Sequence, residues 1–190
     1  MNKALFILGE LNNDDLNWMI RTGRGQTLYP GTILIYEGKA IDALYILLSG
    51  TLSVFIESLD NKELATISSG EIVGEISFLD TRSPVATVKA IEESLVLVIP
   101  RLQLTAKLQQ DMGFASRFYH GISLCLSDRL RGTVRRLGYG QDLNEVDIEQ
   151  QEPNPSVREH LELAQAKFNW LMNSVKLNSA KELQRENLKI

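Results

Sequence analysis

Between Gln26 and Pro100 the chain runs in short β-branched stretches cut by glycine, a rhythm that few folds accept. The stretches are Thr32 to Tyr36, Leu44 to Leu48, Leu52 to Ile56, Leu64 to Ile67, Val85 to Ile91 and Leu95 to Ile99. Short strands at regular spacing, with turn signals between them, predict an antiparallel jelly-roll-like β-roll. Asp60-Asn61-Lys62 marks a hairpin tip.

Helical signals flank the strands, so the expected class is α+β. Asn12 or Asn13 can cap a first helix with Asp14 and Asp15 in its opening turn and Leu16, Met19 and Ile20 as its buried stripe. Trp18 falls off that stripe and reads as a rim residue on the roll. Pro100 suits a first helical turn and opens a helix through Leu108. A longer helix follows Asp111 as cap, with Phe114, Phe118, Ile122, Leu126, Leu130 and Val134 at four-residue spacing to Leu137. Gly121 and Gly132 weaken it by about 1 kcal/mol each.

The 190 residues, 44% of them apolar, divide into residues 1–137 as one domain, 138–155 as an acidic flexible linker and 156–190 as an amphipathic helical tail. The tail carries Leu161, Leu163, Ala164, Phe168, Leu171, Met172 and Val175. Alone such a helix is not stable, so it must dock on its own roll, on a sister chain or on another protein.

Charge is unevenly placed. Residues 101–136 carry seven Lys or Arg against two acids, whereas 139–165 carry seven acids against Arg158 alone. This is either a solvated helix face followed by a solvated linker or a basic surface for an anionic ligand or partner. The overall charge of −4 argues against a general nucleic-acid binder. One cysteine, Cys125, cannot form an internal disulfide, and with no signal peptide or membrane-length apolar run the chain reads as cytoplasmic. His120 and His160 stand apart from any ligand cluster, so no metal is expected. No nucleophile–base constellation appears, because neither Ser77 nor Ser83 has a histidine near it, and no enzyme is expected.

The most informative stretch runs from Gly70 to Ala90, Gly-Glu-Ile-Val-Gly-Glu-Ile-Ser-Phe-Leu-Asp-Thr-Arg-Ser-Pro-Val-Ala-Thr-Val-Lys-Ala. Gly70 and Gly74 permit positive φ, Glu75 opens a turn of helix whose free N–H groups suit an anion, and Val85 resumes a strand. From the residues alone it reads as a phosphate cradle.

This stretch resembles the phosphate-binding cassette of the cyclic nucleotide-binding domain family. Pro30-Gly-Thr-Ile-Leu-Ile-Tyr-Glu-Gly38 is similar to that family's early hairpin and Ala43-Leu-Tyr-Ile-Leu-Leu-Ser-Gly50 to its following strand, in the same order. The resemblance implies that Glu75 takes the ligand's ribose 2′-hydroxyl. It also implies an arginine just after the cassette proline, where this chain has Pro84 or Val85 depending on the count. Loss of that charge-assisted fork removes about 1.5–3 kcal/mol. The nearest cation is Arg82, within Asp80-Thr81-Arg82-Ser83.

Other marks resemble a small group of cyanobacterial single-domain proteins similar to a cyclic di-GMP receptor that signals through a transcription factor. They are Ala4-Leu-Phe-Ile-Leu-Gly-Glu-Leu11, Phe78-Leu-Asp-Thr-Arg82, Gly113-Phe-Ala-Ser-Arg-Phe-Tyr119, Leu126-Ser-Asp-Arg-Leu-Arg131 and Phe168-Asn-Trp-Leu171. Sensors of the wider family imply a homodimer through the long helix. Direct DNA contact is not expected, because an acidic stretch and a single amphipathic helix follow Leu137 with no basic recognition helix, and no apolar run suits a membrane segment. The nearer resemblance implies a cyclic di-GMP receptor. Its candidate ligand residues are Gly74, Glu75, Asp80, Thr81, Arg82 and Ser83, then Arg117, Tyr119, Arg129 and Arg131 on the long helix. A ligand-free interaction module, and a cAMP or cGMP sensor with a non-standard clamp, are the alternatives.

Overall fold

The computed structural model describes residues 5–59, 62–136 and 155–187. Two helices lead, α1 (Leu5–Glu10) and α2 (Asn13–Thr22). The strands are β1 (Arg24–Leu28), β2 (Ile33–Ile35), β3 (Ala43–Ser49), β4 (Thr51–Ile56), β5 (Lys62–Ser68), β6 (Ile72–Val73), β7 (Thr87–Ala90) and β8 (Ser94–Pro100). Helix α3 (Glu75–Asp80) interrupts them, and α4 (Arg101–Gln110), α5 (Met112–Arg136) and α6 (Pro155–Asn187) follow.

Two antiparallel four-stranded sheets, in the orders β1-β8-β3-β6 and β2-β7-β4-β5, face each other as the expected roll. β3 is apolar without alternation because it lies between two cores. Tyr45 and Leu47 fill the interior of the roll, while Leu44, Ile46 and Leu48 pack against the helices. β8 divides the same way, with Val96 and Val98 inward and Leu97 and Ile99 toward the helices.

Two strands were not expected from the sequence. β1 is Arg-Gly-Gln-Thr-Leu, of which only Leu28 is buried, and it exists because β8 offers a free edge from Ser94 to Val98. β6 is two residues long and pairs Ile72 and Val73 with Ile46 and Tyr45. No periodicity can register at that length. The hairpin tip placed at Asp60 and Asn61 lies outside the described residues.

The helices begin where their caps lie. Asn12 and Asp15 close a reciprocal box on α2, with each side chain bonded to the other's backbone N–H at 2.9 Å. Asp111 caps α5 by accepting from the Phe114 N–H at 2.9 Å, and Lys107 reaches the same carboxylate at 2.7 Å. These contacts, the lysine first, hold the Asp111 carboxyl below its ordinary value. Phe114, Phe118 and Ile122 are buried, and Phe114 stacks on Phe118 at 5.8 Å with Trp18 tilted against it at 5.4 Å. Trp18 is thus the half-buried rim of an aromatic cluster. Gly121 has a packing reason, since a Cβ there would come within 2.8 Å of the Ile7 Cα on α1.

Of the docking sites open to the tail helix, α6 takes the body of its own chain. Ala164, Phe168, Leu171 and Val175 are buried, and the helix lies against α1, α2 and β1. Lys167 donates to the Gly9 and Leu11 carbonyls at 3.1 and 2.7 Å, closing the end of α1, and burial lowers its ammonium below the ordinary value. The stretch expected as an acidic linker lies almost wholly outside the described residues. Among the described residues no helix is long and apolar enough to cross a membrane.

Candidate functional site

The site is built around α3, six residues entered through Gly74 at φ 88°. A Cβ at Gly74 would meet the Ile41 Cδ1 at 2.8 Å, so both the turn and the close packing require glycine. An arginine holds each end of α3. Arg129 of α5 donates to the Glu75 carboxylate and to the Ile72 carbonyl. Arg101, at the start of α4, donates to the Ser77 and Phe78 carbonyls at 3.0 and 3.1 Å. After α3 the chain turns through Thr81, a non-glycine residue at φ 61°, whose N–H bonds back to the Ser77 carbonyl.

Beside α3 lies a cavity of about 310 Å³, near the lower end of the range of small-molecule sites. Ile35, Val54, Ile67, Val73 and Val88 form its apolar wall, and Ile76 and Val85 stand at its mouth, the latter 73% exposed. Its polar groups are Glu75, Asp80, Arg82, Ser83 and Arg129. Gly74, Ser77, Pro84 and Ala86 complete the lining.

Arg82 and Asp80 form a local pair. The Asp80 carboxylate accepts from the Arg82 backbone N–H at 3.0 Å and from its Nε and Nη2 at 2.7 Å. These bonds, the backbone one first, hold the Asp80 carboxyl below its ordinary value. The Arg82 side chain is 84% exposed, a cation presented to solvent rather than sunk in the wall.

Glu75 differs sharply, being 2% exposed in its side chain. A carboxylate buried that deeply needs a compensating cation, and removing one partner of such a pair costs about 3–5 kcal/mol. Arg129 supplies it from α5. A ligand hydroxyl taken by Glu75 would have to share that carboxylate with Arg129.

The structure brings Gly74, Glu75, Asp80, Arg82, Ser83 and Arg129 to one cavity. Thr81 sits between them as the cap of α3, its hydroxyl bonded to the Asp80 carbonyl at 2.7 Å. The other three candidates lie elsewhere. Arg117 binds Asp15 on α2, Tyr119 packs edge-on against Phe118 and is half exposed, and Arg131 is exposed on α5. None of the three lines the cavity.

The sequence reading missed Arg101 and the apolar wall. It named Arg129 without its partner, although a signal was present. Phe118, Ile122 and Cys125 form the buried stripe of α5, and the next position on that face is Arg129, a cation where the helix faces the protein interior.

Residues 26–111 match the family model of the cyclic nucleotide-binding domain. The chain is 33% identical over 107 residues to the cyclic AMP receptor protein of Thermus thermophilus, covering 55% of this chain and 48% of that protein. It is 30% identical over 109 residues to lysophospholipase nte1 of Neosartorya fischeri, covering 56% of this chain and 7% of that protein. The chain therefore spans half or less of the length of these curated relatives. A cyclic nucleotide-binding domain from Methylobacillus flagellatus superposes with a TM-score of 0.64 at 20% identity, over 71% of this chain and 80% of that one, a likeness of fold. Residues 26–111 thus match the cyclic nucleotide-binding domain, and the β-roll they build has the fold of that domain.

Proposed function

We propose that this chain is a second-messenger receptor, that its ligand occupies the cavity beside α3, and that the ligand is cyclic di-GMP. The observation that carries the reading is the placement of cations. The positions where the family resemblance implies a cyclic-phosphate clamp hold Pro84 and Val85, whereas guanidinium groups stand at two other places, Arg82 at the rim and Arg129 on Glu75. At the implied clamp position itself a single cyclic phosphate would find no guanidinium fork. A ligand with two phosphates and two guanines can use separated ones, because arginine reads guanine O6 and N7 or a phosphate bidentately and a carboxylate such as Asp80 can accept from a guanine edge. The cavity, about 310 Å³, is of a size for one nucleotide half, and the exposed Arg82 at its rim is the cation offered to the second. The resemblance to the cyanobacterial cyclic di-GMP receptor group supports the same choice.

Signalling then passes by protein contact, as a homodimer and toward a transcription-factor partner. Phe114, Phe118 and Ile122 are occupied within the chain's own core, so on α5 only Leu130 and Val134 remain exposed among the apolar series for a second copy.

Isothermal titration of the full chain with cAMP, cGMP, cyclic di-GMP and cyclic di-AMP tests the ligand. Cyclic di-GMP is expected to bind tightest, and Arg82→Ala to weaken it tenfold or more, about 1.5–3 kcal/mol, with the melting temperature of the free protein unchanged. Tighter binding of cAMP returns the mononucleotide sensor with a non-standard clamp. No binding of any of the four leaves an interaction module.

A further inference from the structure

Helix α6 has two faces. One carries Ala164, Phe168, Leu171 and Val175 into the core. Nearly opposite, Leu163, Trp170 and Leu177 are 52%, 43% and 61% exposed. These three recur at steps of seven, and since a straight helix drifts only about 20° per heptad they form one continuous line. At 1.5 Å per residue the line is about 21 Å long. Exposed Ala166, Asn173 and Ala180 fall three residues after each member, which completes a heptad-like seam with nothing of α6's own docking face in it.

We infer that this seam is the contact surface for a second copy of the chain, with the two α6 helices antiparallel about a two-fold axis at Trp170. The inference rests on the homodimer proposed above and names the surface that forms it. The spacing is symmetric, because Leu163 and Leu177 each lie seven residues from Trp170. A two-fold axis there seats Leu163 on the partner's Leu177, and the reverse, as an isologous interface requires. Charge agrees. Glu162 and Lys176 are both exposed and flank the seam on the same side, and the axis brings Glu162 within two residue steps of the partner's Lys176, about 3 Å along the helix. In a parallel pair Glu162 and the partner's Lys176 would lie 14 residues apart along the axis, about 21 Å, and could not meet. Ala166 and Ser174 become neighbours across the axis and leave room for the two indole rings. Large exposed side chains repeating at heptad spacing, rimmed by charge, follow the seam pattern by which two helices pair.

Sedimentation equilibrium of the full chain reads the outcome. The wild type is expected at twice 21.4 kDa. Trp170→Glu and Leu163→Glu should each raise the dissociation constant at least about tenfold while far-ultraviolet helicity is retained. Glu162→Lys should weaken the dimer, and adding Lys176→Glu should restore it. A Leu163→Cys chain mixed with a Leu177→Cys chain should form a mixed disulfide under mild oxidation, with little self-crosslinking of either alone. Self-crosslinking of Leu163→Cys in preference to the mixed product overturns the antiparallel assignment. If Leu130→Glu on α5 dissociates the dimer and the α6 variants do not, the homodimer stands and this surface is wrong. A mass of 21.4 kDa at every concentration overturns both.

Discussion

Arg117 reaches from α5 to α2 and grips Asp15 with two bonds, 2.6 Å from Nε and 2.9 Å from Nη2, while the Asp15 side chain is 2% exposed. The same carboxylate completes the α2 capping box on the Asn12 N–H. One buried group thus joins the start of α2 to the second turn of α5. The side-chain hydrogen bond to Asp15 raises the Arg117 guanidinium above its ordinary value. This arginine, a ligand candidate by sequence, serves as a structural cation in the fold.

Arg117→Ala should therefore act on stability and leave ligand affinity intact. Stranding a buried carboxylate costs about 3–5 kcal/mol, and the lower end applies because a third of the Arg117 side chain is in water. Urea unfolding should show a loss of about 3 kcal/mol, and titration with cyclic di-GMP should show no change. Weakened binding at unchanged stability would return Arg117 to the ligand site.

Removal of α6 is expected to break the fold of the roll's helical side. The division at residue 137 sets the roll apart from the tail helix, but Phe168, Leu171 and Val175 share the core with α1 and α2. Each such side chain contributes about 1.5–3 kcal/mol by full burial, and three together rival the net stability of a whole domain. A chain ending at residue 154 should lose cooperative thermal melting or unfold at markedly lower urea. Cooperative melting at the wild-type temperature would show that α6 is dispensable.

The thiol of Cys125 should be silent in the folded protein. Burial, opposed in part by Arg129, pushes it up to about 11. Its reaction with a disulfide reagent at pH 8 should be negligible in native buffer and complete in urea. The linkage follows in sign: a folded-state value raised above the unfolded one gives stability that is whole below about pH 9 and is lost as pH rises toward 11. Between those values wild type should lose stability more steeply than Cys125→Ala. Equal slopes would mean that the thiol does not titrate with unfolding.

The sequence alone determined the roll, because glycine corners and β-branched runs are local properties that survive without knowledge of neighbours. It determined the starts of α2 and α5 for the same reason, since Asn12 and Asp111 act within four residues of themselves. It located the cassette, whose glycines and Glu75 are dictated by backbone conformation. Only the tertiary structure decided what the charges do. Arg82, Arg117 and Arg129 are equivalent cations on paper, and their separation into a solvent-facing pair, a buried brace and a cap on Glu75 depends on which element each faces across distances of 2, 102 and 54 residues. The polar strand β1, drawn into a sheet by the open edge of β8, and the docking of α6 were likewise decided by partners far away in the chain. Long-range burial assigns a partner to each charge and each edge, and no periodicity within a segment encodes it.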